Sequence, residues 1–407
     1  MPILCQRFYV KLRQASLHPP SITPDVDDAF EIPWVLLEEK AYVADSNNDT
    51  TASTFSNCGK PIQVTFFAAR PPRVSYLCVF CRCSSAEEDQ EMIPIEPLVI
   101  ATDDNLVLLR IVVSPEKDII NGSDLYIYRP GPRWPSLTRL KRPPGDCVFR
   151  PSEVGLMSRP ASNQQDTYTV AALCDDLLNA GRGRFLLYIY SSELEAWSTT
   201  TVAVEDQQFR QYAQGAFFHH VSTKAVAIGG EAGTMGFVDL QQGILLCDLF
   251  RVRDSPRLRY VPLPETCQED EGDARIYQDI AVDKGHFKYI QQQLIRKPCP
   301  GGINGQCMKD GWMSAVWSIP VPAAGSVLEG SWDMTCRIES FDMAAVGNSP
   351  CSKLLPDLQD GEGINGLHIC QPTLGLHGDG RAACFMVKTN LGDDESWVIL
   401  SNARVTH

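Results

Sequence analysis

Short apolar runs separated by polar turn residues recur along most of the chain. The clearest cases are 185–202 and 225–249, in which an apolar run, a polar turn and a second apolar run follow one another. Further apolar runs lie at 34–37, 41–44, 62–68, 74–80, 98–101, 106–113, 125–128, 168–174, 276–282, 286–290, 313–319, 334–340, 382–388 and 397–400. Only 208–214 and 289–296 show a weak helical period. This pattern predicts a mainly β protein.

The spacing of these units favours a β-propeller of about six or seven irregular blades. Trp197 and Gly243 occupy comparable places in consecutive units and are 46 residues apart. Gly229 and Gly230 close an apolar run in the way that the double glycine of kelch blades does, and Tyr190 and Trp197 resemble the aromatic pair of those blades. The alternative is a pair of β-sandwiches whose spacing coincides with that of blades. We expect residues 1–32 to be a poorly ordered leader and 33–407 to form a single propeller-like domain.

Composition narrows the class of protein. Hydrophobic residues make up 44% of the 407 residues, so the chain can bury a core. Its net charge of −14 disfavours nucleic acid as a partner. No run approaches the length of about 18 apolar residues that a membrane span needs.

The cysteines and the N-terminal region bear on the compartment. Fifteen scattered cysteines and no secretory signal favour a reducing compartment, with most thiols acting as small buried hydrophobes. We therefore expect a cytoplasmic or nuclear protein. The first 18 residues contain Arg7, Lys11 and Arg13, and no acid precedes Asp25, so organellar import stays open.

The order of these motifs resembles a plant family, abundant in grasses, that is called domain of unknown function 1618. The resembling segments are WVLLEEKAYVAD (34–45), IQVTFFAARPPRVSYLCVF (62–80), YTVAALC (168–174), LYIYSSELEAWST (187–199), IGGEAGTMGFVDLQQGILLCD (228–248), RYVPLP (259–264) and 366–397. The pair 236–248 and 259–264 is the most specific. The family is similar in outline to propellers attached to F-box proteins, although no F-box-like helical region precedes the first strand here. It brings no established catalytic residues. Relatives continue beyond the Trp397 strand, so the resemblance implies either an incomplete last blade or closure of the ring by the Trp34 strand.

Three groups of residues are candidates for chemistry, and none predicts a cofactor or a metal. Gly230, Gly233 and Gly236 lack the following helix and the Gly-Lys-Ser/Thr of a phosphate loop, which favours a structural turn. The spacing of Cys78, Cys81 and Cys83, with Cys58 upstream, is compatible with a zinc site. However, side chains alternate between the two faces of a strand, which points Cys78 away from Cys81. His219 and His220 are adjacent, so on a strand they face opposite sides. No G-x-S-x-G elbow is present.

Four arginines form the candidate partner-binding loop. Arg251, Arg253, Arg257 and Arg259 lie in FRVRDSPRLRY, directly after an apolar run, in an otherwise acidic chain. Such a cluster suits phosphate or a carboxylate-rich partner. The alternative is a solvated loop whose charge is balanced by the acids at 269–273.

Two functions are consistent with these features. The first is a non-enzymatic propeller that presents loops to a protein partner, because a repeat scaffold occurs without a recognisable catalytic constellation. The rival is an enzyme or a small-ligand binder with its site in the central channel, which rests on analogy with other propellers.

Overall fold

The computed structural model describes most of the chain and is mainly β, as predicted. The described residues are 12–21, 32, 34–71, 73–82, 92–114, 119, 122–131, 134–159, 167–176, 181–212, 217–251, 257–264, 273–298, 307–326, 330–339, 367–374, 382–390, 392–393 and 396–402. They form 24 strands, one α-helix (Asp206–Tyr212) and short 3-10 helices. Contacts divide the chain into two compact units, Met1–Ala203 and Val204–His407.

The first unit contains three runs of paired strands. In the first run, β1 and β2 pair in parallel with β5, and β3, β4 and β5 are consecutive antiparallel neighbours. The second and third runs are four-stranded antiparallel meanders, β6–β9 and β10–β13. The strands are β1 (Leu36–Leu37), β2 (Tyr42–Val43), β3 (Ala52–Phe55), β4 (Pro61–Phe67), β5 (Val74–Cys81), β6 (Leu98–Asp103), β7 (Leu106–Val112), β8 (Ser123–Arg129), β9 (Ser136–Arg139), β10 (Val154–Arg159), β11 (Thr167–Asp175), β12 (Arg184–Ser191) and β13 (Ala196–Val204).

Alternation along β7 shows how the runs of the first unit pack. Val107, Leu109 and Ile111 belong to a core shared with the first run. Leu106 and Leu108 belong to a core shared with the third run. Successive side chains of a strand point to opposite faces, so the second meander is buried on both faces. Burial of each such side chain stabilises the fold by about 1.5–3 kcal/mol.

The second unit repeats this arrangement. Its strands form two four-stranded antiparallel meanders, β14–β17 and β18–β21, and a three-stranded one, β22–β24. They are β14 (Lys224–Gly229), β15 (Thr234–Asp239), β16 (Gly243–Asp248), β17 (Arg257–Pro262), β18 (Gln278–Asp283), β19 (His286–Pro298), β20 (Cys307–Pro320), β21 (Asp333–Glu339), β22 (His368–Leu374), β23 (Ala382–Lys388) and β24 (Trp397–Asn402).

The middle meander of the second unit is also buried on both faces. Phe287 and Tyr289 of β19 pack with Ile244 and Leu246 of β16. Ile290 on the opposite face packs with β22 and β23. Tryptophans contribute to both of these cores: Trp312 is fully buried, and Trp317, Trp332 and Trp397 are partly buried against them.

Two sequence predictions differ from the structure. Residues 12–21 fall within the expected leader but contain a 3-10 helix (Gln14–Leu17), and Leu12 and Leu17 pack on the first core. The weak helical period at 289–296 was misleading, because these residues lie in β19, which pairs with β18 and β20. Ladder pairing on both sides overrides a weak local preference. The other helical candidate, 208–214, coincides with the α-helix Asp206–Tyr212.

Candidate functional site

The predicted arginine loop connects β16 to β17, and the structure gives its members different environments. Arg251 follows the end of β16, where its N–H donates to the Asp248 carbonyl at 3.0 Å, and its side chain is exposed. Arg257 begins β17 and is exposed. Arg259 lies two residues further and is buried. Arg253 lies outside the described residues.

Arg259 forms an ion pair and two further hydrogen bonds inside the second unit. Its Nη2 donates to the Asp248 Oδ1 at 2.8 Å, and its Nη1 donates to the Ala323 and Ser326 carbonyls at 2.8 and 2.9 Å. Thr234 donates to the same Asp248 oxygen at 2.6 Å. Because the Arg259 side chain is only 5% exposed, it fastens β17 to the segment that follows β20. It cannot also receive a partner while these bonds persist.

Arg257 instead shares an open surface depression with the α-helix. The depression is lined by Glu205, Gln207, Arg210, Gln211 and Arg257. Positions 207, 210 and 211 are three and four residues apart, so they share one face of the helix. Arg210 and Arg257 are exposed, and so are both glutamines.

Gln208 explains why the helix presents this face. Its Oε1 accepts from the Tyr260 N–H at 2.7 Å, and its Nε2 donates to the Tyr260 carbonyl at 2.8 Å. Gln208 is buried. This two-way bond holds the helix against β17 and turns Arg210 outward, beside Arg257.

The exposed arginines have a simple chemical capacity. Within the described part of the chain, Arg210, Arg251 and Arg257 form no ion pair. A guanidinium presents a planar fork of donors that matches a carboxylate or phosphate, and the two glutamines add neutral donors and acceptors. We call Arg210, Arg251 and Arg257 the basic edge. Sequence reasoning missed Arg210, because the helix that brings it to Arg257 is 47 residues away in the chain.

The other candidates occupy structural positions. Gly229, Gly230 and Gly233 have positive φ values of 81°, 74° and 58° and form the β14–β15 turn. This is a backbone shape that glycine adopts without strain. Phe237 continues β15, so no helix follows the turn.

The thiols and imidazoles do not converge on a metal. Among the described residues, no cluster of three or more His, Cys, Asp or Glu side chains has the geometry to hold one. Cys78 and Cys81 are buried in β5, Cys58 is exposed, and Cys83 lies outside the described residues. Burial raises the pKa of Cys78 to about 11, so this thiol stays protonated at neutral pH. His220 is buried and His219 is exposed.

One polar cavity was not foreseen. It lies in the first unit beside Arg110 of β7, with a volume of about 40 Å³, and its lining includes Asp124, Lys141 and Arg142. The sequence signal was the single charge that interrupts the apolar run LVLLRIVV at 106–113.

Comparison with known proteins connects part of the chain to a family. Residues 237–381 match the family described as "Protein of unknown function (DUF1618)". The match includes most of the two segments that carry the most specific resemblance, and it supports that resemblance over this part of the chain. No curated protein matches the chain.

Two solved structures show a distant likeness. An α-L-arabinanase of Penicillium chrysogenum, complexed with arabinobiose, is 8% identical, with 74% of this chain and 80% of that chain covered and a TM-score of 0.29. An ancestral GH74 enzyme is 12% identical, with 84% and 49% covered and a TM-score of 0.31. The chain thus spans about half the length of the GH74 enzyme. Neither likeness is close enough to carry an argument about activity. No described helix has the length and apolar character that crossing a bilayer requires.

Proposed function

We propose that this chain is a β-propeller that serves as a protein-interaction module and that its basic edge receives an acidic partner. The observation that carries the proposal is the contrast between neighbouring arginines. Arg259 is bound inside the second unit, whereas Arg210 and Arg257 line one open depression with no ion pair among the described residues.

The proposed blade arrangement is supported by the strand order within each unit. Each unit contains three consecutive runs of mostly antiparallel strands, and the middle run of each is buried on both faces. Propeller blades have this property because each blade packs between its neighbours. We propose that the six runs, in sequence order, form six blades. Connections between strands then lie at the ends of the blades, where they can vary without disturbing the core.

The charge distribution supports an acidic partner. The chain as a whole is acidic, with 36 basic and 50 acidic residues. A basic edge on such a chain attracts carboxylate-rich surfaces locally and repels them elsewhere, which favours one docking orientation. We propose that the partner presents Asp or Glu side chains to Arg210 and Arg257.

A reducing compartment accords with this proposal. The cysteines whose side chains the structure describes are free thiols, and six of the nine are buried. Free, buried cysteines are typical of cytoplasmic and nuclear proteins.

The experiment is an affinity capture that compares three forms of the protein. The test form changes Arg210, Arg251 and Arg257 to Ala, and it leaves Arg259 intact so that the fold is kept. The control form changes three exposed arginines of the first unit, Arg82, Arg182 and Arg184, to Ala. Both forms have the same net charge. Quantitative mass spectrometry then measures the proteins that each form captures.

We expect a protein that the wild type and the control capture and that the test form loses by about tenfold or more. Its binding should weaken as salt is raised, because exposed charges are screened. If the test form, shown to be folded by circular dichroism, captures the same proteins as the control in equal amounts, the basic edge is not the docking surface. If no form captures any protein specifically, the interaction module itself is refuted.

A further inference from the structure

An arginine occupies a core position of β7. Leu106 and Leu108 of this strand face the core between the second and third runs of the first unit, and alternation places Arg110 on the same face. Its neighbours in register are Leu98 of β6 and Leu125 of β8. Strands β6 and β8 therefore place apolar side chains beside the guanidinium, which needs hydrogen-bond acceptors.

The Arg110 side chain is incompletely satisfied. Its Nε is buried and has no hydrogen-bond partner among the residues that the structure describes. Burial lowers the pKa of Arg110, yet a guanidinium stays protonated at any physiological pH. A buried donor without a partner is unfavourable, so a fold that keeps one has a ligand for it or loses stability.

The cavity beside Arg110 has a cationic lining. Arg110, Lys141 and Arg142 are the basic residues of the lining, and Asp124 is its acid. Lys141 is also within reach of the exposed Glu195 carboxylate, because its Nζ lies 3.7 Å from the Glu195 Oε2. The Asp124 Oδ1 accepts from the Arg142 Nε at 2.9 Å. Its Oδ2 is buried without a hydrogen-bond partner among the described residues, and it lies 3.8 Å from the Arg139 Nη1. Its side chain is only 1% exposed, so it positions Arg142 and offsets one cation. With Glu195 and Arg139 included, four basic residues face two acids, so the region around the cavity keeps an excess of positive charge.

The size and walls of the cavity limit what can enter. Its volume of about 40 Å³ has room for about three water molecules. The rest of the wall is mostly apolar and includes Leu140, Phe149 and Val154, with Ser123 as a polar member. Lys141 and Val148 are exposed lining residues and mark the opening to solvent.

We propose that this cavity binds a small tetrahedral oxyanion, either inorganic phosphate or the phosphate group of a monoester. Arginine binds such an anion through two parallel donors, whereas Lys141 at the opening acts as a point charge. One tetrahedral anion matches both the volume and the excess charge. This site lies in the first unit and is independent of the basic edge.

The test is calorimetric titration of the full chain with sodium phosphate and, separately, with phenyl phosphate and sodium acetate, all at constant ionic strength. The variants are Arg110→Met, which removes the charge but keeps an apolar stem, and Arg110→Lys. The matched control is Arg184→Met, because Arg184 is an exposed arginine on β12 of the same unit.

We expect millimolar or tighter binding of phosphate to the wild type and to Arg184→Met. Arg110→Met should weaken it by at least about tenfold, and Arg110→Lys by less, since it keeps the charge without the planar fork. If phenyl phosphate binds as tightly as phosphate, the site accepts a phosphate monoester. If only phosphate binds, the site is specific for the inorganic anion.

Two results would overturn the proposal. One is the absence of saturable binding of both phosphate compounds to the wild type, or acetate binding equally well. The other is equal affinity in Arg110→Met and wild type. If Arg110→Met does not fold, equal affinity in Arg110→Lys and wild type refutes the role of the guanidinium.

Discussion

The Arg259 guanidinium donates to the Asp248 carboxylate at 2.8 Å across the neighbouring strands β17 and β16. Leu246 stands opposite Arg259 in the register, so the ion pair runs diagonally to a residue two positions further along β16. Diagonal pairs are within reach of long side chains. The two carbonyls that complete the Arg259 site belong to Ala323 and Ser326, which ties β17 to a distant part of the same unit.

Removal of Arg259 should therefore destabilise the fold. Arg259→Met leaves Asp248 without its main counterion and two carbonyls without donors, and loss of one partner of a buried pair costs about 3 kcal/mol or more. Urea unfolding of the full chain measures the change. The control is Arg257→Met, the same chemical change at an exposed position of the same strand, which should shift the free energy of unfolding by less than about 0.5 kcal/mol. Equal effects of the two substitutions would contradict the structural role of Arg259.

The contrast between Arg257 and Arg259 shows which features can be predicted from the sequence. The sequence predicted strands at 276–282 and 286–290, and between them Lys284 and Gly285 adopt the positive φ values of 48° and 77° that a two-residue hairpin turn requires. Local chemistry fixes a turn of this kind. The burial of Arg259 depends on carbonyls 64 and 67 residues away, which no local pattern reveals.

Dependence on residues far apart in the chain also explains why the sequence did not predict the roles of Arg210 and Arg110. Arg210 joins Arg257 only because Gln208 binds the backbone of Tyr260, 52 residues away. Arg110 does interrupt an apolar run visibly, but only packing between the second and third runs shows that its Nε is buried. Periodicity predicts the strands, whereas the sites depend on contacts between strands.

A single methyl group added at Gly243 should destabilise the fold. A Cβ built there meets the Tyr260 ring at 2.5 Å and the Val261 carbonyl oxygen at 2.6 Å, and the carbonyl belongs to the paired strand β17. Gly243→Ala should therefore destabilise the fold by about 1–3 kcal/mol through overpacking. The matched control is Gly392→Ala, because a Cβ at Gly392 meets nothing within 4 Å. Thermal unfolding compares the two, and equal melting temperatures would refute the close approach of β17 to Gly243.

Glu96 should contribute stability that is lost in acid. Burial alone would raise the pKa of this carboxyl, but hydrogen bonds from the Arg13 N–H and Nε at 3.1 Å and from Ser16 Oγ at 3.0 Å outweigh burial and lower the pKa. A carboxyl with a lowered pKa in the folded state stabilises the fold above its unfolded value of about 4.3, and this contribution disappears as pH falls through the folded value.

The variant Glu96→Gln tests this contribution. At about pH 7 it should lower the free energy of unfolding by about 1–2 kcal/mol, and the difference from wild type should shrink as pH falls below about 4. Urea unfolding across this range measures both values. Glu193→Gln, at an exposed position, should show no comparable difference at any pH. A constant Glu96→Gln effect down to about pH 3 would contradict the lowered pKa.

His220 should make the free energy of unfolding depend on pH at higher pH values than Glu96 does. Burial lowers the pKa of this imidazole to about 3, against the opposing effect of a hydrogen bond to the Phe237 backbone, so the folded state holds His220 neutral. The unfolded chain takes up a proton near pH 6.5. A group whose folded pKa is lowered contributes stability above its unfolded pKa, and that contribution falls as pH decreases from about 6.5 towards 3, by up to about 1.4 kcal/mol per pH unit.

The matched pair His219→Gln and His220→Gln separates this contribution from general acid denaturation. His219 is the adjacent residue and is exposed, so its variant should keep the wild-type pH dependence. His220→Gln should be less stable than wild type at about pH 7, and the gap should narrow by about 2 kcal/mol between pH 6.5 and about 4.5, because glutamine takes up no proton. Asp239, whose pKa is raised mainly by burial, titrates in all three forms and cancels from the comparison. Parallel pH profiles for wild type and His220→Gln would show that His220 is protonated in the folded state or accessible to solvent, in contradiction of its buried position.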